Sequence, residues 1–163
     1  MDAKSPSPAS ENLQLGYQSA IALWVYEGNL IWAKYNTMLV ANSIVLAVVG
    51  LSLGSETLPA LFSQLLPVAG IFLCLLWWQL TKRGFDQYRY WILCTREIEE
   101  KFNGEIDIAS RGGRFASGQT VTFSIDGGTV THKLSRGATG IRAAQNAYIG
   151  IAVFALLYVL LLF

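Results

Sequence analysis

The chain has 163 residues, of which 53% are hydrophobic and 14% are charged, whereas soluble domains average roughly 45–50% apolar and about 25% charged residues. This balance excludes an intrinsically disordered protein, which would be rich in charge and poor in apolar side chains. It also argues against a water-soluble globule, and the net charge of +1 gives no reason to expect a nucleic-acid partner. The composition therefore predicts a membrane protein.

The chain opens on a polar stretch and continues into a long helix. Residues 1–12 lack the apolar core of a signal peptide, and we predict a disordered tail over 1–10. Apolar residues then recur at helical steps through Leu13, Tyr17, Trp24 and Ile31. Between Lys34 and Glu56 lie 21 uncharged residues, and about 20 residues of helix cross a bilayer. We predict one helix over 11–53, with span one at 35–54.

The same two features, a charge-free stretch and a helical apolar pattern, predict a second long helix. Between Glu56 and Lys82 lie 25 uncharged residues, and the apolar pattern continues beyond them to Gly104, a residue that often ends helices. We predict a helix over 57–103, with span two at 57–80. Pro67 should kink this helix, and Gly84 is a second weak point.

Pairing the two helices about a turn at 54–58 brings one carboxylate near two guanidinium groups. Glu27 lies on the apolar stripe of its helix, where an unpaired carboxylate is costly. We predict an ion pair of Glu27 with Arg83 or Arg89. A structural clamp is one interpretation of this pair, and a gate or proton-sensitive group at a pore mouth is the other.

Aromatic residues are spread along both predicted helices. Trp32, Trp77 and Trp78 lie near the predicted interface with water, where such rings collect, but Trp24 and Trp91 lie too far from the spans. We therefore predict that the helical extensions pack against neighbouring copies of the chain. The residues predicted for this packing are Trp24, Trp32, Trp78, Tyr88 and Trp91.

The segment 104–137 is predicted as a loop that carries a β-hairpin over 119–134. Apolar and polar residues alternate on both sides of Asp126-Gly-Gly, which is a turn signal. The stretch 113–120 resembles a phosphate-binding loop but has Gln119 where lysine is needed and leads into a strand, so we expect no nucleotide site. The acidic run at the end of the second helix, which includes Glu97 and Glu99, is predicted to be a solvated, salt-bridged face.

A third span is predicted in the last part of the sequence. No charge follows Arg142, and we predict span three within 138–163. All 12 Lys and Arg residues lie on one side of the predicted spans. Because basic residues collect in cytoplasmic segments, we expect the amino end and the long loop in the cytoplasm, the carboxyl end outside, and a bacterial inner (plasma) membrane.

The spans contain no charged side chain, which argues against an ion-coupled transporter. Their polar residues are predicted either to hydrogen-bond between helices or to line an aqueous path, and Asn42 and Gln64 are the candidates to face an axis. The set consists of Asn42, Ser43, Gln64 and Asn146.

Two stretches carry a family likeness. IWAKYNTMLVANSIVL (31–46) and LWWQLTKRGFDQYRYWILCTREIEEKF (76–102) resemble segments of small uncharacterised bacterial inner-membrane proteins and, more distantly, of the RipA-like octameric membrane protein family. Asn36, Trp77 or Trp78, Tyr88-Arg89 and Glu97/Glu99 hold the places of that family's pattern. The resemblance implies an oligomeric membrane assembly and supplies no catalytic residue.

Together these observations predict a mainly α membrane protein with three transmembrane helices, two of them extended into the cytoplasm as a long helical hairpin, plus a small cytoplasmic β-hairpin. The predicted function is a homo-oligomeric pore, channel or membrane scaffold without catalysis, cofactor or metal. Its predicted partners are membrane lipid and further copies of itself, with no nucleic acid and no nucleotide. One alternative is an accessory or sensor subunit that binds another membrane protein through its cytoplasmic helices, and a weaker one is a lipid-acting enzyme.

Overall fold

A computed structural model describes residues 8–53, 60–135, 138 and 143–162. Three of its helices are long and apolar enough to cross a membrane, and two short strands form an antiparallel sheet. This confirms the predicted mainly α architecture with three apolar helices and one β-hairpin. The elements in chain order are α1 (Pro8–Leu53), α2 (Ala60–Lys101), α3 (Ile108–Ala116), β1 (Val121–Ile125), β2 (Gly128–His132) and α4 (Ala143–Leu160).

Helix α1 has 46 residues, more than twice the roughly 20 that a bilayer requires. It begins at Pro8, inside the predicted tail, because proline is well tolerated in the first turn of a helix. Residues 1–7 of that tail lie outside the described residues. Glu11 lies in the first turn, where a carboxylate interacts favourably with the helix dipole.

Helix α2 has 42 residues and continues through Pro67. It also continues through Gly84, where a Cβ would lie 2.8 Å from Cγ1 of Ile31. Gly84 therefore permits close approach of α1 and α2 at this level and does not interrupt the helix. Beyond Lys101, Asn103 (φ 53°) and Gly104 (φ 86°) adopt the left-handed conformation that commonly ends helices. The predicted turn at 54–58 lies outside the described residues.

The chain divides into two compact units. The hairpin unit contains α3, β1 and β2 together with residues 8–28 of α1 and 87–101 of α2. The span unit contains residues 29–53 of α1, 60–86 of α2 and all of α4. The two long helices thus contribute to both units.

The core of the span unit is built from all three of its helices. Trp77 is only 1% exposed, and its ring contacts those of Tyr35 at 4.8 Å and Phe154 at 5.8 Å between centroids. Trp77 is therefore a core residue, whereas the adjacent Trp78 is 45% exposed. The fully buried cluster consists of Val49, Cys74, Trp77, Ile151 and Tyr158.

The hairpin unit contains the predicted β-hairpin. Strands β1 and β2 pair from Val121↔His132 to Ile125↔Gly128. Asp126 (φ 51°) and Gly127 (φ 75°) form the turn, and positive φ at both central residues is the geometry that favours Asp-Gly. Strand β2 is exposed along its whole length.

Helix α3 occupies a segment that the sequence pattern predicts to be loop. It places Phe115 against the ring of His132, stacked at 5.1 Å between centroids, and Arg111 over the ring of Phe123 at 5.4 Å. Gly113 leaves room for the Arg96 guanidinium of α2. Helix α3 is therefore held by contacts with the hairpin and with α2.

Candidate functional site

Hydrogen bonds of Asn42, which is completely buried, link the three helices of the span unit. Its Nδ2 donates to the Met38 carbonyl at 2.9 Å, and its Oδ1 accepts from the Cys74 thiol at 3.4 Å. The Tyr158 hydroxyl donates to the Asn42 carbonyl at 2.8 Å. The structure thus places Asn42 between α1, α2 and α4 of one subunit, where hydrogen bonds hold helices together.

The other three polar residues of the predicted set lie on the surface of the span unit. Ser43 is exposed and donates to the Leu39 carbonyl of its own helix at 2.8 Å. Gln64 of α2 and Asn146 of α4 are also exposed. The structure therefore does not bring these three to Asn42, and their surroundings in the assembled protein decide what they contact.

The aromatic residues predicted for oligomer packing divide between intrasubunit contacts and exposed surface. In the hairpin unit, the rings of Trp24 and Tyr88 lie 6.1 Å apart, and that of Trp91 packs on Tyr90 at 5.1 Å. In the span unit, Trp32 is 43% exposed and Trp78 is 45% exposed, so these two retain surface for a neighbour.

The predicted ion pair of Glu27 with Arg89 is not formed within the hairpin unit. Trp24 and Gly28, on either side of Glu27 in the sequence, both lie against Tyr88 of α2. Glu27 itself is only half-buried, so water can solvate its carboxylate. Arg83 belongs to the span unit, and a pair with it stays a prediction. The ion pairs among the described residues are Lys101–Glu97, Arg111–Asp107 and Arg114–Asp107.

Among the described residues of the hairpin unit, the most buried carboxylate is that of Glu99, near the end of α2 and well beyond the charge-free stretch that can cross a membrane. Its side chain is 3% exposed. One oxygen accepts from the Ala109 amide at 2.6 Å and from the Tyr17 hydroxyl at 2.9 Å, and the other accepts from the Ser110 amide at 2.8 Å. Glu99 therefore caps the amino end of α3 from a different helix.

At Glu99 this arrangement contradicts the prediction that the acidic run is a solvated, salt-bridged face, whereas the exposed Lys101–Glu97 pair agrees with that prediction. Asp107, the residue before α3, makes no capping bond with its side chain and instead pairs with Arg111 and Arg114. The first amides of α3 would lack an acceptor without Glu99. The sequence gives no local sign of this role, because Glu99 and α3 are brought together only by the fold.

The stabilisation that the Glu99 cap provides depends on pH. Burial alone would raise the pKa of Glu99, but hydrogen bonds from Ser110, Ala109 and Tyr17 outweigh it and lower that pKa. Burial, with the Glu99 hydrogen bond second, raises the pKa of Tyr17 to about 12. Because the folded-state pKa of Glu99 lies below its unfolded value, its stabilisation is complete above the unfolded pKa and is lost as pH falls through the folded pKa.

We expect the Ala109 and Ser110 amides to lose protection from hydrogen exchange as pH is lowered through the folded pKa of Glu99. Protonation removes the charge that strengthens these bonds. Exchange, corrected for the intrinsic rate and followed by mass spectrometry at a series of pH values, measures this loss. The Glu99→Gln variant should lack the transition, and an identical transition in that variant would assign it to another group.

A cavity of about 470 Å³ lies between α3 and β1 in the hairpin unit. Its walls are mainly apolar, with the Asp107–Arg111 pair at one side. No group of three histidine, cysteine, aspartate or glutamate side chains in the described part of the chain is arranged to hold a metal ion. The residues that line the cavity are Glu105, Ile106, Asp107, Ile108, Arg111, Gly112, Phe115, Val121 and Phe123.

Comparison with known proteins identifies the family. No curated protein and no solved structure matches the chain. The model of the octameric membrane protein family (8xMP) matches residues 16–163, and thus covers the β-hairpin and the third span as well as the two stretches that carry the sequence resemblance. The chain belongs to the octameric membrane protein family.

Proposed function

We propose that this protein forms a homo-oligomeric pore in a bacterial inner membrane and catalyses no reaction. The observation that carries the proposal is the set of three apolar helices in a member of a family named for its octamers. Eight copies of a three-helix subunit supply enough helices to surround a path across the bilayer. The charge-free spans fit passive conduction better than ion-coupled transport, which generally uses charged groups within the membrane.

The orientation that we propose follows from the basic residues. All Lys and Arg residues lie before span one or between spans two and three, which favours a cytoplasmic amino end, a cytoplasmic hairpin unit and a carboxyl end outside. Lipid and further copies of the chain are the proposed partners, and neither nucleic acid nor nucleotide has a part in the proposal.

We expect the purified assembly to produce discrete current steps in planar lipid bilayers. The measurement applies voltage and then membrane tension, with detergent-matched protein-free bilayers as the control. If currents are absent under both stimuli from assemblies of verified subunit number, conduction is excluded, and the scaffold interpretation of the same assembly replaces it.

A second candidate function is that of an accessory or sensor subunit for another membrane protein. It is favoured by large apolar side chains that the long helices of the hairpin unit leave exposed, among them Leu15, Val25, Tyr26, Tyr90 and Leu93. Surface of this kind marks interaction sites. Co-purification of a different chain at fixed stoichiometry would support this candidate, and a homogeneous assembly of this chain alone would count against it.

A further inference from the structure

A groove of about 300 Å³ lies between α1 and α2 on the surface of the span unit. On its α2 side, Leu73 is at one end and Arg83 is at the other. The ten residues from one to the other correspond to about 15 Å along a helix. We call it the α1–α2 groove, and it is lined by Met38, Leu73, Leu76, Gln79, Leu80 and Arg83.

The α1–α2 groove has the length of one leaflet of a bilayer. The charge-free stretch of α2 ends at Lys82, beside Arg83. In a membrane, this places the Arg83 end at the edge of the hydrocarbon and the Leu73 end near its middle, because half of the hydrocarbon thickness is about 15 Å. A single acyl chain from the adjoining leaflet therefore fits both the length and the mainly apolar lining of the groove.

The charged residues of the span unit collect at the Arg83 end of the groove. Among the described residues of that unit they are Lys34, Lys82, Arg83 and Asp86, which makes three cations and one anion. Lys34 lies one turn before Met38 on the same side of α1. Asp86 does not line the groove, and no described group of the span unit forms an ion pair with Arg83. This end of the groove is therefore positively charged and accessible to an anion.

We propose that the α1–α2 groove binds one anionic phospholipid, with an acyl chain along the groove and the phosphate at Arg83. A guanidinium group presents several N–H donors that match phosphate oxygens, and the Gln79 amide adds a further donor. Basic pockets between membrane helices attract anionic headgroups, and Lys34 and Lys82 disfavour a headgroup that also carries a cation. The proposal rests on the membrane location in the proposed function, but it requires neither conduction nor a particular subunit number.

The first test compares two headgroups on identical acyl chains. Native mass spectrometry of the purified assembly, offered equal amounts of phosphatidylglycerol and phosphatidylcholine, should show preferential retention of phosphatidylglycerol. Arg83→Gln should retain it about fivefold less, which is the effect of one basic residue beside an anionic headgroup. Arg89→Gln is the matched control, because it removes the same charge from an exposed position of α2 outside the groove. Equal retention of both lipids by the wild type, or no loss in Arg83→Gln, would overturn the proposal.

A further variant separates this role of Arg83 from its predicted ion pair with Glu27. Glu27→Gln removes the carboxylate and leaves the guanidinium in place, so the retention of phosphatidylglycerol should equal that of the wild type. If Glu27→Gln loses as much lipid as Arg83→Gln, the effect belongs to the ion pair, and the lipid site is refuted.

The second test fills the groove without changing any charge. Leu76→Trp should reduce the retention of phosphatidylglycerol, whereas Leu75→Trp, at a neighbouring position outside the groove, should not. Both leucines are exposed, at 42% and 53% respectively, so both variants should fold, and thermal unfolding checks this. Wild-type retention in Leu76→Trp would show that lipid does not occupy the groove. Unchanged retention together with a smaller subunit number would mean that another copy of the chain covers it, which also contradicts the proposal.

Discussion

Replacing Glu99 with alanine should destabilise the hairpin unit by about 3 kcal/mol, because two buried donors and one half-buried donor lose their acceptor at once and each unsatisfied buried group costs about 1–3 kcal/mol. The donors are the amides of Ala109 and Ser110 and the hydroxyl of Tyr17. The first turn of α3 should open, and the stacking of Phe115 on His132 should weaken with it.

Hydrogen exchange resolved along the chain, together with chemical unfolding in detergent, measures this effect. Glu97→Ala is the matched control, since Glu97 is 72% exposed and reaches Lys101 only at 3.9 Å, and exposed pairs contribute little to stability. The loss of stability in Tyr17→Phe should lie between those of Glu99→Ala and Glu97→Ala, because the Glu99 carboxylate keeps both of its hydrogen bonds from backbone amides. Equal, small losses for Glu99→Ala and Glu97→Ala would show that the cap does not stabilise α3.

The elements that sequence reasoning predicts correctly are those with strong local signals. Charge-free stretches on either side of Glu56 and after Arg142 predict three membrane helices, because charges are costly in hydrocarbon. The hairpin is equally local, since strand alternation and Asp126-Gly127 specify the strands and the turn between them. These signals depend on residues within a few positions of one another.

The missed features depend on contacts between distant segments. Helix α3 contains Gly112 and Gly113, which lower its intrinsic helix propensity, and it is capped by Glu99 from α2. Glu99 in turn is surrounded along the chain by charged residues, so its burial is visible only once α3 is in place. Neither of the two features can be predicted without the other.

The side on which a residue lies is also difficult to predict within an apolar span. Asn42 is completely buried while Ser43 is exposed, and Trp77 is buried while Trp78 is 45% exposed. Adjacent residues on a helix point about 100° apart, and an apolar stretch that is hydrophobic all round carries no pattern to say which side meets protein. The sequence therefore predicts the spans but not the faces by which they assemble.

Substituting Gly70 with alanine should destabilise the span unit by about 1–3 kcal/mol, the usual effect of adding a methyl group to a packed core. A Cβ at Gly70 of α2 would collide with the ring of Tyr158 on α4, which is completely buried. The ring must shift to relieve the collision, and the shift would lengthen the 2.8 Å bond from the Tyr158 hydroxyl to the Asn42 carbonyl. All three helices would thus be affected by one methyl group.

Gly16→Ala provides the same chemical change at a position where, apart from the adjacent residues and the nearby backbone of its own helix, no described atom lies within 4 Å of the added carbon. Alanine is favoured over glycine within a helix by about 0.5–1 kcal/mol, so this control should be slightly stabilising, opposite in sign to Gly70→Ala. Thermal unfolding in one detergent compares the two variants directly. In a Tyr158→Leu background the Gly70→Ala loss should shrink, because the ring that it strikes is gone. An undiminished loss there would mean that the contact between Gly70 and Tyr158 does not limit the packing of α2 against α4.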